Sequence, residues 1–113
     1  KKINLLILII LTVFISCTHG VNIKINNDTG NVIDSLSIEN SFKTIKISQF
    51  EVNKSYSFFV DFKKNKQKGD GIFILRMFKD TVKEFHQFGY YSNGIPPSKD
   101  INILIKKDTI IFK

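Results

Sequence analysis

From Val21 onward the chain alternates apolar and polar residues with a period of two, the pattern of strands buried on one face. Val21, Ile23 and Ile25 alternate with Asn22, Lys24 and Asn26. Asn27-Asp28-Thr29-Gly30-Asn31 then reads as a turn in which Gly30 can take positive φ. Val32, Leu36 and Ile38 define one face of a second strand, with Asp34 breaking the pattern, and the two strands read as a hairpin. A third strand sets Ile45 and Ile47 against Lys46 and Ser48. A fourth sets Tyr56, Phe58, Val60 and Phe62 against Ser57 and Asp61, with Phe59 an apolar residue on the polar face.

Gly69-Asp70-Gly71 is the next turn. Ile72 to Phe78 carries two interleaved apolar sets interrupted only by Arg76, as expected of a central strand buried on both faces. Val82 to Tyr91 makes a sixth strand. Ser92-Asn93-Gly94-Ile95-Pro96-Pro97 is a loop, because Asn-Gly favours positive φ and the prolines cannot donate to a ladder. Ile101, Ile103 and Ile105 mark a seventh strand. Lys107-Asp108 is either a tight turn into a short strand from Thr109 to Phe112 or a bulge in one longer strand.

No window carries a helical stripe. Seven to eight short strands at a spacing of roughly twelve residues predict an all-β domain over residues 21–113, a small antiparallel β-sandwich of immunoglobulin-like or transthyretin-like type. The paired cysteines and core tryptophan of an antibody-type domain are missing, since the chain has one Cys and no Trp. A small closed barrel is the alternative architecture.

Residues 1–16 have a different character. Lys1 and Lys2 precede an apolar run from Leu5 to Ile15 broken only by Thr12, and Ser16 places a small residue before Cys17. These are the parts of a secretory signal peptide. The run is about eleven residues, whereas a membrane-spanning helix needs roughly twenty. A buried core helix and a plain signal peptide with an incidental cysteine are the other readings. Phe14-Ile15-Ser16-Cys17 resembles a relaxed form of the lipoprotein box of bacterial lipoproteins, particularly those of Bacteroidetes, with Phe14 standing where that box usually has Leu.

The resemblance implies removal of a signal helix at 1–16, lipidation of Cys17, and residues 17–20 as a lipidated tether. Two or more acyl chains hold a protein stably at a membrane, which is then one partner of the chain. Thr18 in place of Asp, with no acidic cluster behind it, implies an outer-membrane address facing the periplasm.

Removal of residues 1–16 from the 113 leaves 97, enough for one compact core. With one cysteine, no intramolecular disulfide can form, so packing alone must supply stability, through Ile, Val, Leu and 11 Phe. The formal charge of +7 falls to +5 when Lys1 and Lys2 are lost. Lys63, Lys64, Lys66 and Lys68 cluster on what reads as a hairpin tip, a solvated turn that can meet anionic lipid headgroups. Nucleic acid is excluded as a partner: no recognition motif interleaves these cations with aromatic residues.

Little of the chain suggests catalysis. His86, the only histidine inside the strands, reads as an exposed residue on a strand edge with Glu84 on the same face. Two such groups fall short of the ligands zinc needs. Asp28, Asp70 and Asp80 sit near turns, where Asp bonds its own backbone. The expectation is no enzyme, no cofactor and no metal. Phe85 and Phe88 read as core residues. The recognition candidates are Tyr90, Tyr91 and Asn93, aromatic and polar groups beside a proline-stiffened loop. Adjacent strand residues point to opposite faces, so at least one tyrosine should be exposed. The chain therefore reads as a non-enzymatic binding or assembly module with another envelope protein as partner. The alternative is an inhibitor or immunity-type lipoprotein acting through a protruding loop.

Overall fold

A computed structural model describes residues 19–65 and 69–113; the signal segment, Cys17, Lys66 and Lys68 lie outside them. The described residues form eight strands, in order β1 (Gly20–Asp28), β2 (Ile33–Glu39), β3 (Thr44–Phe50), β4 (Ser55–Asp61), β5 (Gly71–Lys79), β6 (Val82–Tyr91), β7 (Asp100–Lys106) and β8 (Ile110–Phe112). A single 3-10 turn, Phe62–Lys64, follows β4, with the Asp61 carboxylate accepting from the Lys63 amide. The strands assemble into two four-stranded sheets, ordered β4-β1-β7-β8 and β3-β2-β5-β6.

The expected β-sandwich is present, with a topology that periodicity alone did not determine. β1 and β2 lie in different sheets, so the turn between them is a crossing from one layer to the other and not a hairpin. The lysine-bearing connection from β4 to β5 is likewise a crossing. The true hairpins are β2–β3, β5–β6 and β7–β8, the last through the turn expected at Lys107-Asp108. β1 and β7 run parallel, making the first sheet mixed where an antiparallel one was expected. An immunoglobulin order keeps the first two strands in one sheet. Their separation here departs from that order.

The core follows from strict alternation in β1 and β7. Val21, Ile23 and Ile25 face inward beside Ile101, Ile103 and Ile105. Leu36, Ile38, Phe73 and Leu75 of the second sheet belong to the same buried cluster. Full burial of one such side chain is worth about 1.5–3 kcal/mol, and these contacts carry the stability that a disulfide cannot. An aromatic file adds directional packing through the layers: Phe62 meets Tyr91 edge-on at 4.9 Å, Phe73 stacks on Phe88 at 5.3 Å, and Phe88 stacks on Phe112 at 4.9 Å.

Two facing expectations change. Val32 is exposed and Ile33 is buried in its place, paired with Phe50. On the paired strand β3, Gln49 with a φ of 52° breaks the alternation as well, and both Ile47 and Phe50 point inward. β5 is buried on one face only: Phe73, Leu75 and Met77 point inward, while Ile72, Ile74 and Phe78 are half-buried around an exposed Arg76. The first strand also begins at Gly20, inside the expected tether, and the carbonyl of His19 accepts from the Phe62 amide.

Two polar side chains, Asn27 and Thr29, are built into this end of the core. Asn27 is 1% exposed, and its amide nitrogen donates to the carbonyls of Asn31 (2.9 Å), Phe50 (2.9 Å) and Glu51 (3.1 Å). Its Oδ1 accepts from the amide and the hydroxyl of Thr29, at 3.1 and 2.7 Å. Its backbone amide donates to Lys54 and its carbonyl accepts from Asn53. The β1–β2 and β3–β4 crossings are thereby tied to one residue. Asn27→Ala should lower unfolding free energy by about 1–3 kcal/mol, since it leaves the buried Phe50 carbonyl without this donor. Denaturant melting checks this, and a loss below about 1 kcal/mol would show that the crossings hold without the carboxamide.

Candidate functional site

Gly89 decides which of the two tyrosines faces solvent. Its φ is +64°, and the β5–β6 register shifts there: Phe73 pairs with Phe88, but Gly71 pairs with Tyr91. One extra residue on β6 opposite a shorter partner, led by a left-handed glycine, is a β-bulge that flips the facing of the residues after it. Phe88 is inward, Tyr90 is 61% exposed, and Tyr91 is inward again at 2%. Tyr91 is therefore corrected from a recognition candidate to a core residue. Gly71 leaves the space for its ring, since a Cβ there would collide with the Tyr91 hydroxyl and ring carbons. Among the described residues the buried Tyr91 hydroxyl has no hydrogen-bond partner.

Tyr90 and the loop after it are held by Asp70. One carboxylate oxygen accepts from the Asn93 amide at 2.9 Å, the other from the Tyr90 hydroxyl at 3.3 Å. Asp70 thus bonds across to β6 and its turn, not to its own backbone as its position beside a turn suggests. Repulsion from that carboxylate, with their hydrogen bond, raises the Tyr90 hydroxyl above its ordinary value of 10.0. Asn93 and Gly94 both have positive φ, 54° and 70°, and the Ile95 amide donates to Ser92 at 3.0 Å. This is the type I′ turn that Asn-Gly favours. The Gly94 amide donates to Gly69, and the Gly94 carbonyl lies 3.3 Å from His19 Nε2. Asn93 acts through its backbone, with its side chain exposed to solvent.

His86 departs from the exposed-edge expectation. It lies on the edge strand β6 but on the inward side, half-buried, with Nε2 3.6 Å from Glu84 and without a hydrogen-bond partner among the described residues. The pair lines a cleft of about 760 Å³ between the β5–β6 and β7–β8 hairpins, which Lys79 and Lys106 also border. Among the described residues no group of three or more His, Cys, Asp or Glu side chains gathers as a metal site would require.

A second surface escaped the sequence. The outward face of β3-β2-β5-β6 carries two cross-strand rows, Lys46-Ser37-Arg76-Phe85 and Ser48-Ser35-Phe78-Lys83. They line a trough of about 540 Å³. Phe85, read as core, is 66% exposed there. The rows become visible only once the register is known, because each row takes one residue from each of four strands.

No protein family, curated protein or solved structure matches this chain, so no relative's site can be laid over these residues.

Two outcomes are expected of the Tyr90–Tyr91 geometry. Tyr91→Phe should raise stability by about 1 kcal/mol by removing an unpaired buried hydroxyl, and Gly71→Ala should lower it by about 1–3 kcal/mol through overpacking; thermal melts of both variants check the pair. Asp70→Asn should return the Tyr90 hydroxyl toward its ordinary value, seen as an earlier Tyr90 transition in an NMR-monitored alkaline titration. The sign is set by the raised folded value: the Tyr90–Asp70 contact contributes stability below pH 10.0 and loses it as pH climbs through the folded value. An unchanged Tyr90 titration in Asp70→Asn would remove Asp70 as the cause.

Proposed function

We propose that this chain is a non-enzymatic binding or assembly module, anchored through lipidated Cys17 at the periplasmic face of an outer membrane, with another envelope protein as its partner. The observation that carries the binding reading is Tyr90, 61% exposed yet fixed by Asp70 next to a turn tied at both ends. An aromatic group that is already ordered loses little conformational freedom on binding, which favours its use as an anchor.

The rival reading, an inhibitor acting through a protruding loop, needs a segment that stands clear of the sheets. Of the Ser92–Ser98 loop, the first half closes tightly, with Gly94 buried against Gly69 and His19, while Ile95, Pro97 and Ser98 are exposed. That favours a module working through the body of the sandwich. The anchor itself rests on the Phe14-Ile15-Ser16-Cys17 resemblance.

Cys17→Ser should abolish metabolic labelling by palmitate and release the protein from the membrane fraction; retention without labelling would overturn the anchor. A photo-crosslinking phenylalanine analogue in place of Tyr90 should capture one discrete envelope component, whereas the same analogue at exposed Val32 should not. Equal capture from both positions would remove Tyr90 as the contact.

A further inference from the structure

The trough on the outward face of the second sheet has a chemical character of its own. Its cations are Lys46, Arg76 and Lys83, one each from β3, β5 and β6. Glu39, the carboxylate that shares this face beside Arg76, is already engaged: Arg76 Nε donates to it at 2.6 Å. That bond uses Nε alone, and the Arg76 side chain remains 58% exposed, so its terminal amino groups are free to grip a second carboxylate. Glu84 borders the trough but belongs to the inward side of β6 with His86. The surface is therefore net positive.

Beside the cations stand three serine hydroxyls, from Ser35, Ser37 and Ser48, none bonded to another side chain among the described residues. Phe78 and Phe85 flank them on the β5 and β6 side. Across four strands at about 4.8 Å spacing the floor is roughly 14 Å wide, room for one polymer chain lying between Lys46 and Phe85.

We propose that this trough binds a single chain of an acidic polysaccharide bearing uronate carboxylates. The inference rests on the reading of the chain as a binding module and names a ligand class on a face separate from Tyr90. Each part of such a polymer has a counterpart. Its carboxylates meet the guanidinium fork of Arg76 and the ammonium groups of Lys46 and Lys83. Its hydroxyls pair with the serines. The C–H faces of its rings lie against Phe85 and Phe78, aromatic surfaces that lose little freedom on contact.

Two other anionic occupants fit less well. An extended polypeptide gains most from backbone pairing along a sheet edge, and on this face the main-chain groups of β2 and β5 are already used on both sides. A bilayer surface is flat on this scale and would touch only the rims, leaving the serine floor uncontacted.

The test uses the full chain held in phosphatidylcholine nanodiscs, with fluorescent alginate oligosaccharides as the probe. Alginate should bind at low ionic strength and weaken steadily as salt is added, while dextran of matched length should not bind. Phe85→Ala and Arg76→Gln should each weaken alginate binding by about tenfold, the scale of losing one anchor residue, with circular dichroism unchanged. Tyr90→Ala should leave it intact. Equal binding of poly-glutamate, tighter binding of phosphatidylglycerol vesicles added in solution, or alginate binding indifferent to both trough variants would each overturn the proposal. So would the absence of alginate binding; if the Tyr90 cross-link persisted in that case, only this inference would fall and the module reading would stand.

Discussion

The carboxamide of Asn27 is the contact on which the layering of this sandwich depends. A carboxamide offers two hydrogens and one oxygen, and here all are spent on main-chain and hydroxyl groups of segments that leave the first sheet or return to it. The carbonyls of Phe50 and Glu51 sit where β3 ends and the chain crosses back toward β4; that of Asn31 sits where the chain has just crossed to β2. The Asn31 carbonyl also accepts from the Thr29 hydroxyl and the Glu51 carbonyl from the Lys54 amide, so the Phe50 carbonyl is the buried group that leans on Asn27. A buried carbonyl without a partner costs more than a made hydrogen bond gains, so Asn27 both satisfies the buried Phe50 carbonyl and pins the two segments where the chain changes layers.

Aromatic packing performs the complementary task at the opposite end. The file through Phe62, Tyr91, Phe73, Phe88 and Phe112 joins the two layers with edge-on and stacked contacts, each worth about 0.5–1.5 kcal/mol beyond the area it buries. Tyr91 enters that file only because the Gly89 bulge reverses the facing of β6. The same reversal turns Tyr90 outward beside Asp70. Core closure and surface presentation at this end thus share one backbone irregularity, and a side chain at position 89 would disturb both, its Cβ lying 3.0 Å from the Phe73 ring.

How much of this was legible in the sequence varies by feature. Alternation in β1 and β7 was plain, because each is an interior strand with one wet face, and Val82–Tyr91 was readable end to end. The hairpin reading of β1 and β2 failed because a turn of Asn, Asp, Thr, Gly and Asn looks the same whether the next strand pairs or changes layers. Val32 and Ile33 were exchanged because β2 turns both Ile33 and Leu36 inward, three residues apart, a break in alternation that no local residue preference announces. The Tyr90–Tyr91 opposition followed from adjacency alone, whereas which of the two pointed outward required a bulge that a lone Gly within a strand only hints at. The Lys46-Ser37-Arg76-Phe85 row was invisible, since nothing in local pattern aligns four strands.

The parallel pairing of β1 with β7 sets Ile23 beside Ile101 and leaves the first sheet without its central seam until almost the whole chain is present. Before that point β1 can pair with β4 alone, a two-strand ribbon that is marginal in water. Contacts so distant along the chain make folding late and slow compared with local hairpins. A polypeptide that cannot close its core early remains threadable through a narrow channel. The late seam therefore sets a physical delay: the two layers lock together only after residues 100–106 have joined the chain.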